Sequence, residues 1–287
     1  MCCSLVFMIP TCAAFHDLCC YAKSSLTVVI PTLEVLGVEV CPLPTALLST
    51  QTDGFKHYHF EENTASLVEI LNHWHYLGLG FDAIYSGFLG SHEQVDLVRH
   101  FIALQREENN PLVVIDPVLG DGGKPYAPID DKLISEMRSL VREADLITPN
   151  TTEAALLLDK PMQKNFTRNE ILSWAQELSH TIDCSVTITS VPLGDEHAVA
   201  FCHDGDCSLV YYENLAASYP GCGDLFASMM TGFLINKVPF QTAVEKSVLY
   251  SSLAIDRTLK AGYERRHGIS PSLIFSSLIE ERIRYGS

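Results

Sequence analysis

Positive charge is scarce in this chain. Nineteen Lys and Arg residues stand against 35 Asp and Glu, a formal net charge of −16. Such a surface repels phosphate backbones and anionic lipid, so neither nucleic acid nor a membrane is an expected partner. A local basic pocket for a small anion remains compatible with it. Long apolar runs are missing too. Residues 4–15 are apolar but too short to span a bilayer. No Lys or Arg precedes them and Pro10 interrupts them, which argues against a signal peptide. Residues 1–7 are expected to form a ragged tail ahead of a buried first strand. The chain has ten cysteines but no C-x-x-C pair. Cys2, Cys3, Cys12, Cys19 and Cys20 crowd the start, while Cys41, Cys184, Cys202, Cys207 and Cys222 are scattered. That spacing suits neither a zinc site nor a small secreted disulfide scaffold. Mostly free thiols in a cytoplasmic protein are the expectation.

What is present suits a single large domain. The chain has 287 residues, 47% of them hydrophobic and 19% charged, enough for a core without staples and too apolar for disorder. No linker, repeat or low-complexity tract divides it, so residues 1–287 are read as one domain. Short apolar runs alternate with segments of helical period. Strands are expected at 8–16, 38–43, 83–86, 112–116, 146–148 and 185–190, and helices at 24–36, 63–77, from 91 to about 104, and 130–144. Two further helices are expected to start at Asn150 and at the capping box Thr167/Glu170. Residues 197–202 and 208–212 flank His203-Asp-Gly-Asp206, a hairpin signal. Helical pattern fills 224–258, broken near Pro239, and residues 270–284 close the chain. Alternating strands and helices predict an α/β fold: a mostly parallel sheet, helices on both faces, and an antiparallel edge.

Four polar segments stand where such folds bind ligands, just after strands. In Tyr219-Pro-Gly-Cys-Gly-Asp-Leu-Phe226 two glycines bracket Cys222, and a helix starts at once. Glycines allow close backbone approach, and a helix N-terminus favours an anion. Backbone N–H groups there can hold a transferring phosphoryl group while Asp224 accepts a proton from an alcohol. A plain helix cap around Asp224 is the alternative. Asp116-Pro-Val-Leu-Gly-Asp121 places two acids at a strand end, where they are either solvated turn residues or water-mediated Mg²⁺ ligands. Thr148-Pro-Asn-Thr-Thr-Glu153 reads as a capping box of Asn150 and Glu153, or as a place for phosphates and metal, or as both. Phe15-His-Asp17 and Thr50-Gln-Thr-Asp-Gly-Phe55 complete the set. A lone histidine such as His16 is more often structural than catalytic.

Together these segments resemble the ribokinase-like superfamily, whose fold is a three-layer α/β/α sandwich. Ser25-Leu-Thr-Val-Val-Ile-Pro31 through Leu36-Gly37, and Cys41-Pro-Leu-Pro-Thr-Ala46 through Thr52-Asp-Gly-Phe55, are similar to its vitamin B6 kinase branch, the bacterial pyridoxal/pyridoxamine kinases. The resemblance implies ATP-dependent phosphorylation of the 5′-hydroxymethyl group of a B6 vitamer. It implies Asp224 as the general base, with Gly221, Cys222 and Gly223 forming the anion hole. Asp116, Asp121 and Glu153 would serve Mg²⁺ and a monovalent cation such as K⁺. Asn150, Glu153, Thr189 and Ser190 would lie along the nucleotide, and Asp17, Thr52 and Phe88 would border the pyridine ring. A homodimer is a further implication. The chain departs from that pattern at Cys222, where relatives commonly carry Thr, and at Phe88, where Tyr is frequent. It departs again at Leu18-Cys-Cys-Tyr-Ala-Lys23, where Cys20 and Ala22 replace glycines and Lys23 replaces Arg. The competing expectations are a hydroxymethylpyrimidine kinase, a non-catalytic nucleotide- or vitamer-binding relative and, from the N-terminal cysteines alone, a thiol or metal protein.

Overall fold

In the computed structural model, residues 9–285 are described, apart from 128, 214 and 216. The expected tail of residues 1–7, with Cys2 and Cys3, lies outside them. The strands are β1 Thr11–Cys19, β2 Glu39–Leu48, β3 Phe60–Glu62, β4 Ala83–Ser86, β5 Leu112–Ile115, β6 Gly120–Asp121, β7 Lys124–Pro125, β8 Leu146–Ile147, β9 Ser185–Leu193, β10 Glu196–His203 and β11 Asp206–Tyr212. The helices are α1 Leu26–Val35, α2 Thr64–Leu77, α3 His92–Glu108, α4 Asp131–Leu140, α5 Thr151–Leu158, α6 Arg168–Ile182, α7 Cys222–Ile235, α8 Phe240–Lys260 and α9 Phe275–Tyr285.

Nine strands form one sheet in the order β11-β10-β9-β8-β5-β4-β1-β2-β3, and β6 and β7 form a separate small hairpin. From β2 to β9 the pairings are parallel, while β3 and the β9-β10-β11 meander pair antiparallel. The chain builds outward from β1 in both directions, to β2 on one side and to β4, β5, β8 and β9 on the other. The β1/β4 boundary is therefore the switch point of the sheet, where open α/β folds bind ligands outside the carboxyl ends of the strands.

Helices cover both faces. Residues of one strand parity, such as Ala13, Phe15, Ile84, Val113 and Ile147, pack under α2 to α6. The opposite parity, with Cys12, Ala14, Tyr85, Val114 and Leu146, packs under α1, α7, α8 and α9. This is the three-layer α/β/α arrangement, because a period of two presents alternate residues to the two helical layers.

Local chemistry sets several boundaries. Asp130 and Ser91 accept backbone N–H groups at the starts of α4 and α3, and Asn150 and Thr167 complete full capping boxes. Gln94 does not return to Ser91 as a capping box requires. Its amide instead bonds the Gly90 N–H, the Thr45 carbonyl and the Thr64 hydroxyl, tying α3 to β2 and α2. Ser25 precedes α1 without a side-chain capping bond, because its hydroxyl is taken by Asp17. One pair of cysteines departs from the expectation of mostly free thiols. Cys202 and Cys207 face each other across β10 and β11 and are joined by a disulfide. The two-residue turn at Asp204-Gly205 makes them direct cross-strand partners, which brings the side chains within bonding reach. Cys12, Cys19, Cys20, Cys41, Cys184 and Cys222 are free. No helix among the described residues is long and apolar enough to cross a membrane.

Candidate active site

Strand alternation decides which residues meet here. Ala14, Tyr85, Val114 and Leu146 face the α1/α7/α8 layer. Two positions further along these strands stand His16, Gly87, Asp116 and Thr148, so the same parity carries them to the same face. There they lie beneath the N-terminus of α7, which carries Asp224.

Asp224 is held by one corner. Its Oδ2 accepts the Ser25 backbone N–H at 2.8 Å, while its Oδ1 stands 4.0 Å from His16 Nδ1. Ser25 bridges two acids, because its hydroxyl donates to Asp17 Oδ1. Asp17 Oδ2 also accepts the Cys19 thiol at 3.3 Å. Burial pushes Asp224 up to about 6 from 3.8, the nearby Asp17 charge adds to this, and the Ser25 N–H opposes it. Asp17 is raised as well, by burial against the bonds from Ser25 and Cys19.

Asp116 follows β5 and is raised by burial, then by the Asp224 charge. Glu153 is raised well above the ordinary carboxylate range by burial, then by Asp116. Both Glu153 oxygens are engaged. Oε2 accepts the Asn150 N–H at 2.8 Å, and Oε1 accepts the Leu119 N–H at 3.2 Å. Asn150 Oδ1 caps α5 by accepting the Thr152 and Glu153 N–H groups at 2.8 and 3.0 Å. Its Nδ2 donates to the Gly120 carbonyl at 2.8 Å. The start of α5 thus anchors the segment that leads to Asp121, which is exposed on the β6/β7 hairpin. The capping and site readings of Asn150 and Glu153 describe the same residues.

Among the described residues, no three His, Cys, Asp or Glu side chains converge closely enough to cage a metal. Asp116 and Glu153 nevertheless fit Mg²⁺. They are buried carboxylates, with the Asp116 charge raising Glu153, and Mg²⁺ is typically held by one or two carboxylates plus substrate phosphates.

Gly221 has φ +84°, and a Cβ there would lie 3.0 Å from the Lys23 carbonyl oxygen and 3.1 Å from both Ile269 Cγ2 and Val28 Cγ2. Glycine is required for the turn as well as for the space. A Cβ on Gly223 would lie 4.0 Å from Asp116 Oδ2, so Gly223 leaves a gap between the helix N-terminus and that acid. The Cys222 N–H makes a 3.4 Å bond to the Tyr219 carbonyl. The N–H groups of Gly223 and Asp224 lie in the first turn of α7, among the donors that a helix start leaves without an intrahelical acceptor. Cys222 presents a thiol, not a thiolate. Burial pushes it up to about 11, Asp224 adds to this, and Arg265 pulls it down.

The remaining expected site residues stand around this centre. Thr189 donates its N–H to the Pro149 carbonyl at 2.9 Å and bridges to Asn150, and Ser190 beside it is exposed with φ +56°. Phe88 follows β4, half-buried, with its ring 6.4 Å from Phe60 of β3. Thr52 is exposed on the loop after β2. That loop is pinned to residues 264–268 by Gln51 donating to the Arg266 carbonyl at 2.8 Å and by the Arg265–Asp53 ion pair. The structure therefore brings Asp17, Asp116, Glu153, Asp224 and the glycine turn together and leaves Thr52, Phe88, Thr189 and Ser190 peripheral to them. Sequence reading missed the Ser25 N–H, because a serine before a helix reads as an ordinary cap. It also missed Arg265, whose Glu-Arg-Arg-His context gives no motif.

The family profile described as phosphomethylpyrimidine kinase matches residues 25–270. A Bacteroides thetaiotaomicron protein assigned as a phosphomethylpyrimidine kinase, crystallised with pyridoxal, is 37% identical, with TM-score 0.89 over 94% of this chain and 96% of that one. The pyridoxal kinase of Lactobacillus plantarum is 27% identical, with TM-score 0.89 over 97% and 99%. The pyridoxal kinase of Bos taurus is 29% identical over 264 residues, 84% of this chain and 83% of that one. A Schizosaccharomyces pombe relative assigned as a pyridoxal kinase is matched over 161 residues at 27% identity, so this chain spans only 46% of its length. With a profile match over most of its length and a 37% identical relative aligned almost end to end, the chain belongs to the ribokinase-like phosphomethylpyrimidine kinase family.

Proposed function

We propose that this protein transfers the γ-phosphoryl group of ATP to the 5′-hydroxymethyl group of pyridoxal, pyridoxamine or pyridoxine. The observation that carries the reading is Asp224: a buried carboxylate raised to about 6, at the N-terminus of α7, with its orientation fixed by the Ser25 N–H. A base in that range is ionised at neutral pH and still basic enough to take a proton from an alcohol as the new bond forms. Phosphoryl transfer asks the protein chiefly for positioning and charge neutralisation. The first-turn amides of α7, around Gly221, Cys222 and Gly223, receive the transferring group. Asn150, Glu153, Thr189 and Ser190 line the nucleotide. Asp17, Thr52 and Phe88 border the pyridine ring. Asp116, Glu153 and Asp121 would hold Mg²⁺, which would supply neutralisation of phosphate charge. A monovalent cation such as K⁺, a homodimer and a cytoplasmic location belong to the same reading.

Phosphorylation of hydroxymethylpyrimidine is the second reading, favoured by the description of the matching family. ADP release with Mg-ATP and each alcohol separately distinguishes the two. A B6 vitamer turned over at least tenfold more efficiently than hydroxymethylpyrimidine supports the first, and the reverse order replaces it with the second.

A further inference from the structure

His16 is fully buried at the end of β1, and neither of its ring nitrogens has a hydrogen-bond partner. A buried polar atom left without a partner is costly to the fold. The surroundings nevertheless hold the ring firmly. Tyr85 meets it edge-on, with centroids 4.3 Å apart and an interplanar angle of 74°. Gly87 provides its space: a Cβ there would lie 2.3 Å from Nδ1 and 2.4 Å from Cε1. Nδ1 points toward Asp224, 4.0 Å from Oδ1. Asp224 Oδ2 is already occupied by the Ser25 N–H at 2.8 Å, so one donor fixes one corner of the carboxylate and leaves its rotation about that corner open.

We propose that His16 is a positioning residue for Asp224. Its Nδ1–H donates to Oδ1 when ATP and the acceptor fill the site. With the Ser25 N–H it then fixes the plane of the carboxylate that receives the hydroxyl proton. The inference rests on Asp224 being the base. His16 transfers no proton: the imidazole stays neutral, keeps hydrogen on Nδ1, and the hydroxyl proton ends on Asp224. Closing the gap from 4.0 Å to an ordinary N–H···O separation of about 2.9 Å takes a small side-chain rotation. A bond to an ionised acceptor is among the stronger hydrogen bonds, and a misplacement of about 1 Å can cost a factor of about 100 in rate.

The test uses two variants, one that keeps a donor and one that does not. His16→Asn keeps an amide N–H near the position of Nδ1, whereas His16→Leu keeps none. Steady-state kinetics with pyridoxal and Mg-ATP are expected to show kcat lowered about 10–100-fold in His16→Leu, with both KM values within about twofold of wild type. His16→Asn is expected to stay within about fivefold. A packing role makes the opposite ranking, with apolar Leu at least as good as Asn in this buried place. Equal kcat for the two variants, or a loss confined to KM, overturns the proposal. If His16→Leu does not fold, as judged by its melting transition, His16→Phe takes its place with the same expected deficit relative to Asn. Asp224→Asn, assayed alongside, separates the two claims. Near wild-type turnover there removes the base itself, while an inactive Asp224→Asn beside an unimpaired His16→Leu removes only the role of His16.

Discussion

Asp224→Asn is expected to stabilise the unliganded fold, and the gain is expected to grow with pH. The folded-state carboxyl titrates near 6 instead of 3.8 because ionisation is penalised by burial and by Asp17. The sign follows from linkage. A folded state that binds its proton more tightly than the unfolded chain loses stability as pH rises between the two values. The cost is absent below about pH 3.8, builds up to about pH 6 and is complete above it. At 1.36 kcal/mol per pH unit, the rise from 3.8 to about 6 amounts to about 3 kcal/mol at pH 8 and about half of that at pH 5. The Asp224 side chain is only 14% exposed, so solvent screening takes little from this figure. Asn is neutral at every pH and can still accept the Ser25 N–H through its carbonyl oxygen. In a chain of this size about 3 kcal/mol corresponds to roughly 5–10 °C in Tm. The assay is thermal melting of both proteins with chelator and without nucleotide, at pH 5 and pH 8. A Tm gain that is flat between these pH values, or a loss at pH 8, would refute the electrostatic account of the site.

Three other substitutions probe the scaffold. Ala22 has φ +72°, where glycine is favoured, so Ala22→Gly should stabilise the turn by about 1 kcal/mol, read by urea denaturation. Gly87→Ala places a methyl group against the His16 ring and should cost about 1–3 kcal/mol in the same assay, since neither β4 nor β1 can move aside without disturbing the sheet. Asn150→Ala removes the cap of α5 and the bond to the Gly120 carbonyl, and should cost about 1–2 kcal/mol and raise the KM for ATP severalfold.

Much of the fold is legible along the chain. The strand at Ala83–Ser86 and the capping boxes at Asn150 and Thr167 appear where their patterns place them, because each is decided by neighbours in sequence. What escaped depends on distant partners. The second strand continues past Leu43 to Leu48, through Pro42 and Pro44. Two prolines in alternation place their missing N–H groups on one edge of the strand, and β3 pairs only with Ala46–Leu48, so few ladder bonds are lost. β3 itself, Phe60–Glu62, is exposed at all three positions and shows no alternation to read. Cysteine spacing does not reveal that Cys202 and Cys207 are opposite each other in a hairpin register. In the site, acids at strand ends and the glycine turn are local signals. The Ser25 N–H on Asp224 joins residues 199 positions apart and has no side-chain signature at all. His16 has the local pattern of an ordinary core residue, and its setting comes from Gly87 and Asp224 beside its ring, both distant in sequence.

The most direct measurement is ADP release from Mg-ATP with pyridoxal, pyridoxamine, pyridoxine and hydroxymethylpyrimidine offered one at a time, wild type beside Asp224→Asn. The account predicts turnover on a B6 vitamer that falls by about three orders of magnitude or more in Asp224→Asn while ATP binding is kept. Turnover on none of the four alcohols by a wild-type protein that still binds ATP, or an Asp224→Asn variant as fast as wild type, would contradict it.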